Sequence, residues 1–204
     1  MATPEYADIS SAALFAFHDG RLAIAGWASN GASEHRAGAW QAIEDNHRYN
    51  CLLWDEEDLA RRRNVADAEI AANKRAIDGY NQKRNDAIER IDEALLAALF
   101  GGKEPGGGKL SSETPGAMVD RLSILSLKIH HMRLQTRRTD VAAAHVENCR
   151  RKLARLDEQR ADLAACLDRV LGECARGETR FKVYRQFKMY NDPALNPAIY
   201  GEKR

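Results

Sequence analysis

Residues 39–63 read AWQAIEDNHRYNCLLWDEEDLARRR, and the fold turns on that stretch. Steps of three and four residues put Trp40, Ile43, His47, Asn50, Trp54 and Glu57 on one face of a helix. The inward stripe of an amphipathic helix is normally apolar, because packing buries it. Here a histidine and an amide sit between two tryptophans, and a carboxylate follows. A buried polar group without a partner costs roughly 1–3 kcal/mol, so the partners must come from elsewhere in the chain.

The next stretch carries a matching pattern. After a short break near Asn64, a second helix is expected over 67–100, with Ile70, Lys74, Ile77, Asn81, Arg84, Ile88, Ile91 and Leu95 along its stripe. Its ends are apolar and its middle is polar. A short break folds two long helices back antiparallel, so that facing residues have numbers summing to roughly 128. That register sets His47 near Asn81, and Asn50 near Asp78 and Asn81. Two stripes that turn polar at one height predict a buried polar layer.

Outward from this pair, residues 9–28 carry Leu14, Phe17, His18, Leu22 and Ala25 at helical spacing, which predicts an N-terminal helix. SNGAS (29–33) reads as a turn, with Ser33 as N-cap of a helix over 34–62. GGKEPGGGK (101–109) reads as a flexible loop. In SSETPG (111–116), Thr114 is the expected N-cap and Pro115 the first residue of a helix over 115–137. Thr139 or Asp140 is expected to cap a helix over 140–176, with Gly177 closing it.

Segment 178–204 differs. It sets Phe181, Tyr184, Phe187 and Tyr190 among Lys182, Arg185 and Lys188. Alternation would allow a strand, but no partner strand is apparent, so a short helix followed by turns at NDP and NP is expected. The reading is one all-α domain over 1–204. It is an antiparallel bundle of four long helices, an extra N-terminal helix and an aromatic-basic C-terminal segment.

Composition narrows the partners. A chain of 204 residues is most simply one domain, and 30% charged with 7% aromatic residues favours long solvated helices. A net charge of +1 argues against nucleic acid or an anionic membrane as partner. No apolar run reaches membrane-spanning length. MATPEYADISS lacks the basic segment and apolar core of a secretory signal. Cys51, Cys149, Cys166 and Cys174 form no C-x-x-C pair and read as reduced thiols, so the expected compartment is the cytoplasm. Homo-oligomerisation is left open.

Three motifs bear on chemistry. Glu44 and His47 make a Glu-x-x-His step, the spacing that ferritin-like bundles use in di-iron or di-manganese sites. A second step is lacking, so a hydrogen-bonded core histidine is the plainer reading and no metal ligand is assigned. Asp55, Glu56, Glu57 and Asp58, with Glu89 and Asp92, resemble the magnesium-holding acidic helices of all-α nucleotide pyrophosphatases. Beside Arg61 to Arg63 they read more simply as a solvated cluster. Arg84 matters most: a guanidinium on a core stripe needs a carboxylate, with Glu44 a candidate, or an anionic ligand. The helix start at Thr114–Gly116 offers unbonded N–H groups to such an anion.

HRYNCLLWDEED (47–58), SETPGAMVDRLSILSLKIHHM (112–132) and FKVYRQFKMYNDPALNP (181–197) together resemble a family of bacterial proteins catalogued as a domain of unknown function. The likeness spans roughly residues 35–200. A second uncharacterised family is similar in its PG-x-x-x-D-[KR]-[LI]-[ST]-IL-x-x-K block, here Pro115, Gly116, Asp120, Arg121, Leu122, Ser123, Ile124, Leu125 and Lys128. The resemblance implies a place beside glycosyltransferases of cell-surface polysaccharide synthesis. The resemblance therefore implies a bacterial, cytosolic, helical protein, and supplies no reaction.

The function expected is a small-molecule site in the bundle for a phosphorylated or sugar-nucleotide-like anion. His47 would be general acid, general base or orienter. Asn50, Glu57, Asn81 and Arg84 would hold the ligand, with Asp120, Arg121, Lys128, Tyr184, Arg185 and Lys188 around the mouth. No cofactor can be named. A second reading is a helical adaptor for a glycosyltransferase-like partner, docking through the C-terminal aromatics. A third is a metal-dependent bundle enzyme.

Overall fold

The computed structural model describes residues 8–35, 37–103, 106–189 and 192–201. The described helices are α1 (Ser11–Leu22), α2 (Trp27–Asn30), α3 (Gly38–Leu59), α4 (Asp67–Phe100), α5 (Pro115–Thr136), α6 (Ala143–Ala175) and α7 (Pro197–Tyr200). A single parallel pair of two-residue strands, β1 (Lys109–Leu110) and β2 (Thr179–Arg180), completes the described structure. The fold is an all-α bundle.

Local chemistry explains where the helices begin and end. Helix α4 starts with Asp67 and Glu69 against its positive end and stops at Gly101, whose φ of 64° suits a residue without a side chain. Helix α5 starts as expected: the Thr114 hydroxyl accepts from the Ala117 N–H at 3.2 Å, and Pro115 follows it. The N-terminal helix is shorter than the pattern suggests. It ends at Leu22, and after Gly26 (φ 69°) the separate α2 buries Trp27.

Two expected caps fail for one reason, competition for their groups. Helix α3 begins at Gly38, not at 34, because the N–H groups of Glu34 and His35 donate to the Glu44 carboxylate at 3.1 and 2.9 Å. Ser33 is therefore not the cap. Asp140 is held by Arg138 at 2.7 Å, and α6 starts later, behind Ala142. The C-terminal segment also departs from expectation. Thr179 pairs with Lys109 and Arg180 with Leu110, so β2 finds its partner at the end of the glycine-rich loop. Phe181 is then fully buried, and 181–188 carries no regular structure where a short helix was expected. Tyr190 lies outside the described residues.

Helix α3 packs along α4, through Glu56 with Asn73 (2.7 Å), Tyr49 with Tyr80 (rings 6.3 Å apart) and Asp45 with Arg90 (2.9 Å). Helix α5 packs on α6 and also touches α4, α3 and α1. It is the hub. Leu14, Ile43, Ile91, Leu95, Val119, Leu122, Leu167 and Phe181 form one core at 0% exposure. Each such side chain contributes roughly 1.5–3 kcal/mol by burial. At the start of α5 the backbone presses on α4, since a Cβ on Gly116 would lie 2.6 Å from the Ile88 carbonyl oxygen. That contact lets the Gly116 N–H donate to Asp92 Oδ1 at 2.6 Å.

Candidate functional site

The polar middle of α3 is buried, but its partners lie on α5. His47 Nδ1 is 2.8 Å from the Ser123 hydroxyl. Asn50 Nδ2 donates to Ser123 Oγ at 3.1 Å and to Asp120 Oδ1 at 2.9 Å. Asn46 Nδ2 donates to that same carboxylate oxygen at 2.8 Å. The expected pairing of His47 with Asn81 across α4 is corrected here, because α5 wedges into the face that both stripes share. Asn81 is half-buried one turn before Arg84. Glu44 is not the partner of Arg84; the backbone of Glu34 and His35 and the Arg48 guanidinium take its oxygens.

His47 is fully buried and lies against a second histidine. Its ring stacks on His18 at 4.4 Å between centroids and on Trp27 at 5.7 Å. Burial pulls the His47 pKa down to about 3 and pushes His18 well below the usual range, with the neighbouring imidazole adding to the effect on His18. His47 is therefore neutral near pH 7, and it orients Ser123 and through it Asn50. Asp92, buried beneath the start of α5, is pushed the other way, to about 6, by burial.

Two turns further along α3 the setting changes. A cleft of about 300 Å³ opens there, lined by Asn50, Trp54, Glu57, Asp58, Arg61 and Arg84 above Leu53, Ile124 and Leu127. Arg84 Nε is 4.0 Å from Asp120 Oδ1, too far for a hydrogen bond. Arg84 Nε and Trp54 Nε1 are both buried without a hydrogen-bond partner among the described residues. Glu57 is neutralised by Arg61 at 2.8 Å and Lys74 at 3.7 Å.

The remaining sequence candidates scatter. Arg121 is exposed and paired with Glu113 in a separate groove between α5 and α6. Lys128 borders that groove and a second one. Arg185 lies on the outer face of α4, where it pairs with Glu89 at 2.7 Å and with Glu93. Tyr184 is 56% exposed, and neither it nor Lys188 lines the cleft. The acidic residues also part: Asp92 serves the start of α5, and Glu56 accepts from Asn73. Among the described residues, no group of three or more His, Cys, Asp or Glu is placed to hold a metal ion.

Sequence reasoning gave Asn46, Ser123 and His18 no part in the polar layer, and read Trp54, Asp58 and Arg61 as stripe or charge cluster, not as residues of one cleft. Ser123 stands one turn after Asp120, so the pair was readable as one face of α5. Nothing in the sequence pointed that face at α3.

Residues 40–183 match a family described as "Protein of unknown function (DUF4254)". The chain belongs to this family. No curated protein and no solved structure matches it. The DUF4254 match takes in the polar layer of α3 and α5 and every residue lining the Trp54 cleft. It leaves out α1 with His18, α2 and the exposed C-terminal aromatics. No helix of the described DUF4254 structure is long and apolar enough to cross a membrane.

Proposed function

We propose that this DUF4254 protein binds a small phosphorylated, sugar-nucleotide-like anion in the cleft centred on Trp54, in the service of bacterial cell-surface glycan synthesis. One observation carries the reading. Two buried donors, Arg84 Nε and Trp54 Nε1, have no hydrogen-bond partner among the described residues, and both residues line a single cleft. Each unsatisfied donor costs about 1–3 kcal/mol, and a ligand rich in acceptors would recover that cost. Asn50 connects the cleft to the polar layer, whose bonds hold it in place before any ligand arrives. The glycan context is supported by the three sequence segments, whose resemblance implies a place beside glycosyltransferases. Cytoplasmic location agrees with the reduced cysteines, all four of which are free.

The test is a thermal-shift screen against nucleotides, nucleotide sugars and sugar phosphates. A ligand at one hundred times its dissociation constant adds about 2.7 kcal/mol. In a chain of this length that is on the order of 5–10 °C. A shift that disappears in Arg84→Leu supports the reading; no shift from any member of the panel overturns it.

A second reading, an adaptor for a glycosyltransferase-like protein, is favoured by the exposure of Tyr184 (56%), Phe187 (85%), Met189 (58%) and Tyr200 (63%). Because Phe181 is fully buried, truncating the segment would open the core. The clean test is Tyr184→Ser with Phe187→Ser, which should abolish partner binding and leave the melting temperature unchanged.

A further inference from the structure

We infer that the ligand is bipartite, with its phosphate held in the groove next to the Arg84 cleft and its neutral, hydroxyl-rich body in the cleft itself. This rests on the function proposed above and assigns each part of the ligand to its own residues.

The adjoining groove, about 550 Å³, runs between α5 and α6 and shares Trp54 and Asp58 with the Arg84 cleft. The shared wall is flat and firm, because Trp54 stacks on His131 at 4.4 Å with the rings 9° from parallel. Charge separates the two compartments. The cleft holds Glu57 and Asp58 against Arg61 and Arg84, two acids and two cations. Carboxylates that accept, an amide and guanidinium groups that donate, and an indole face for C–H groups make up the chemistry that hydroxyl-rich rings require. A doubly charged phosphate gains little where the charges already balance.

The groove is different. Lys128 on α5 faces Lys152 and Arg155 on α6, with Asp58 as its single acid. Arg155 is paired with Glu158 at 2.6 Å. Among the described residues, Lys128 and Lys152 are in no ion pair. Two uncommitted ammonium groups across a groove hold a phosphate as point charges do, from either side. A ligand passing over Trp54 thus reaches an unsatisfied donor pair at one end and unpaired cations at the other.

The experiment uses the full chain and four probes by calorimetric titration: hexose 1-phosphates, UDP-glucose, the free hexoses and inorganic phosphate. Variants are Lys128→Glu with Lys152→Glu, the matching pair of arginine substitutions, and Arg84→Leu. Both lysines are exposed, so the double variants should melt as wild type does. The expected result is at least a tenfold loss of phosphate-bearing probes in the glutamate pair, retention in the arginine pair, and unchanged weak binding of free hexose. Arg84→Leu should bring the sugar phosphate down to the affinity of inorganic phosphate alone. If the glutamate pair binds as wild type while Arg84→Leu loses all binding, the phosphate sits at Arg84 and the bipartite assignment fails with the function intact. If none of the probes binds wild type, both fail.

Discussion

His47 and Trp54 lie two turns apart on one face of α3, and both carry buried ring nitrogens, yet their surroundings were built differently. Around His47 the chain supplies partners to the polar layer: Ser123, Asn50, Asn46 and Asp120 are joined by bonds of 2.8 to 3.1 Å, while the ring nitrogens of His18 and Trp27 stacked on it are buried without partners among the described residues, away from the cleft. Around Trp54 it does not, and Trp54 Nε1 and Arg84 Nε stay unpaired beside an open cleft. The closed region reads as structure, since a satisfied network holds α3 and α5 in one register. The open region reads as a site, because donors without partners beside a cavity give up stability that an acceptor entering the cavity returns.

The largest expected effect tests the closed region. Asp120→Ala strips the acceptor from the Asn46 and Asn50 amides and the nearest carboxylate from Arg84. It should cost about 3 kcal/mol or more in urea unfolding. A loss below about 1 kcal/mol would mean that the layer does not hold the helices together, and the contrast with the cleft would collapse.

A second effect is set by pH. His47 titrates near 3 in the folded chain and His18 well below its ordinary value, against about 6.5 when unfolded. Between those values the unfolded chain binds more protons, so the histidines' contribution is complete above pH 6.5 and is lost as pH falls. Asp92, raised to about 6, acts oppositely: its folded form binds the extra proton, and its contribution fades as pH rises from about 4 to 6. Two histidines outweigh one carboxylate, so the unfolding midpoint should drop steadily from pH 7 to pH 5. His18→Phe should flatten that slope. An equally steep slope in His18→Phe would sever the link between the buried imidazole pair and acid sensitivity.

The smallest effect belongs to the open region. Arg84→Leu removes an unsatisfied donor and should leave stability within about 0.5 kcal/mol of wild type, while reducing the ligand-induced shift to that given by inorganic phosphate alone. A loss above about 1 kcal/mol in the same urea titration would show that the cleft, too, is part of the framework.

The helices themselves were written in the sequence. The helix from Asp67 to Phe100 follows the period read for it, and Thr114 with Pro115 opens α5. Those signals are local: a cap, a dipole and a period need only neighbouring residues. The polar stripe of α3 was legible for the same reason. Its partner was not, because a 3.6-residue period says which side chains face inward and is silent on which helix meets them. Only the packing decided that α5 lies against His47 and Asn50. Packing also turned Glu44 back onto the chain before α3 and paired β2 with Lys109 and Leu110 at the end of a glycine-rich loop. Each of these is a contact between residues remote in sequence, set by where the whole chain buries its apolar faces, and no local pattern encodes it.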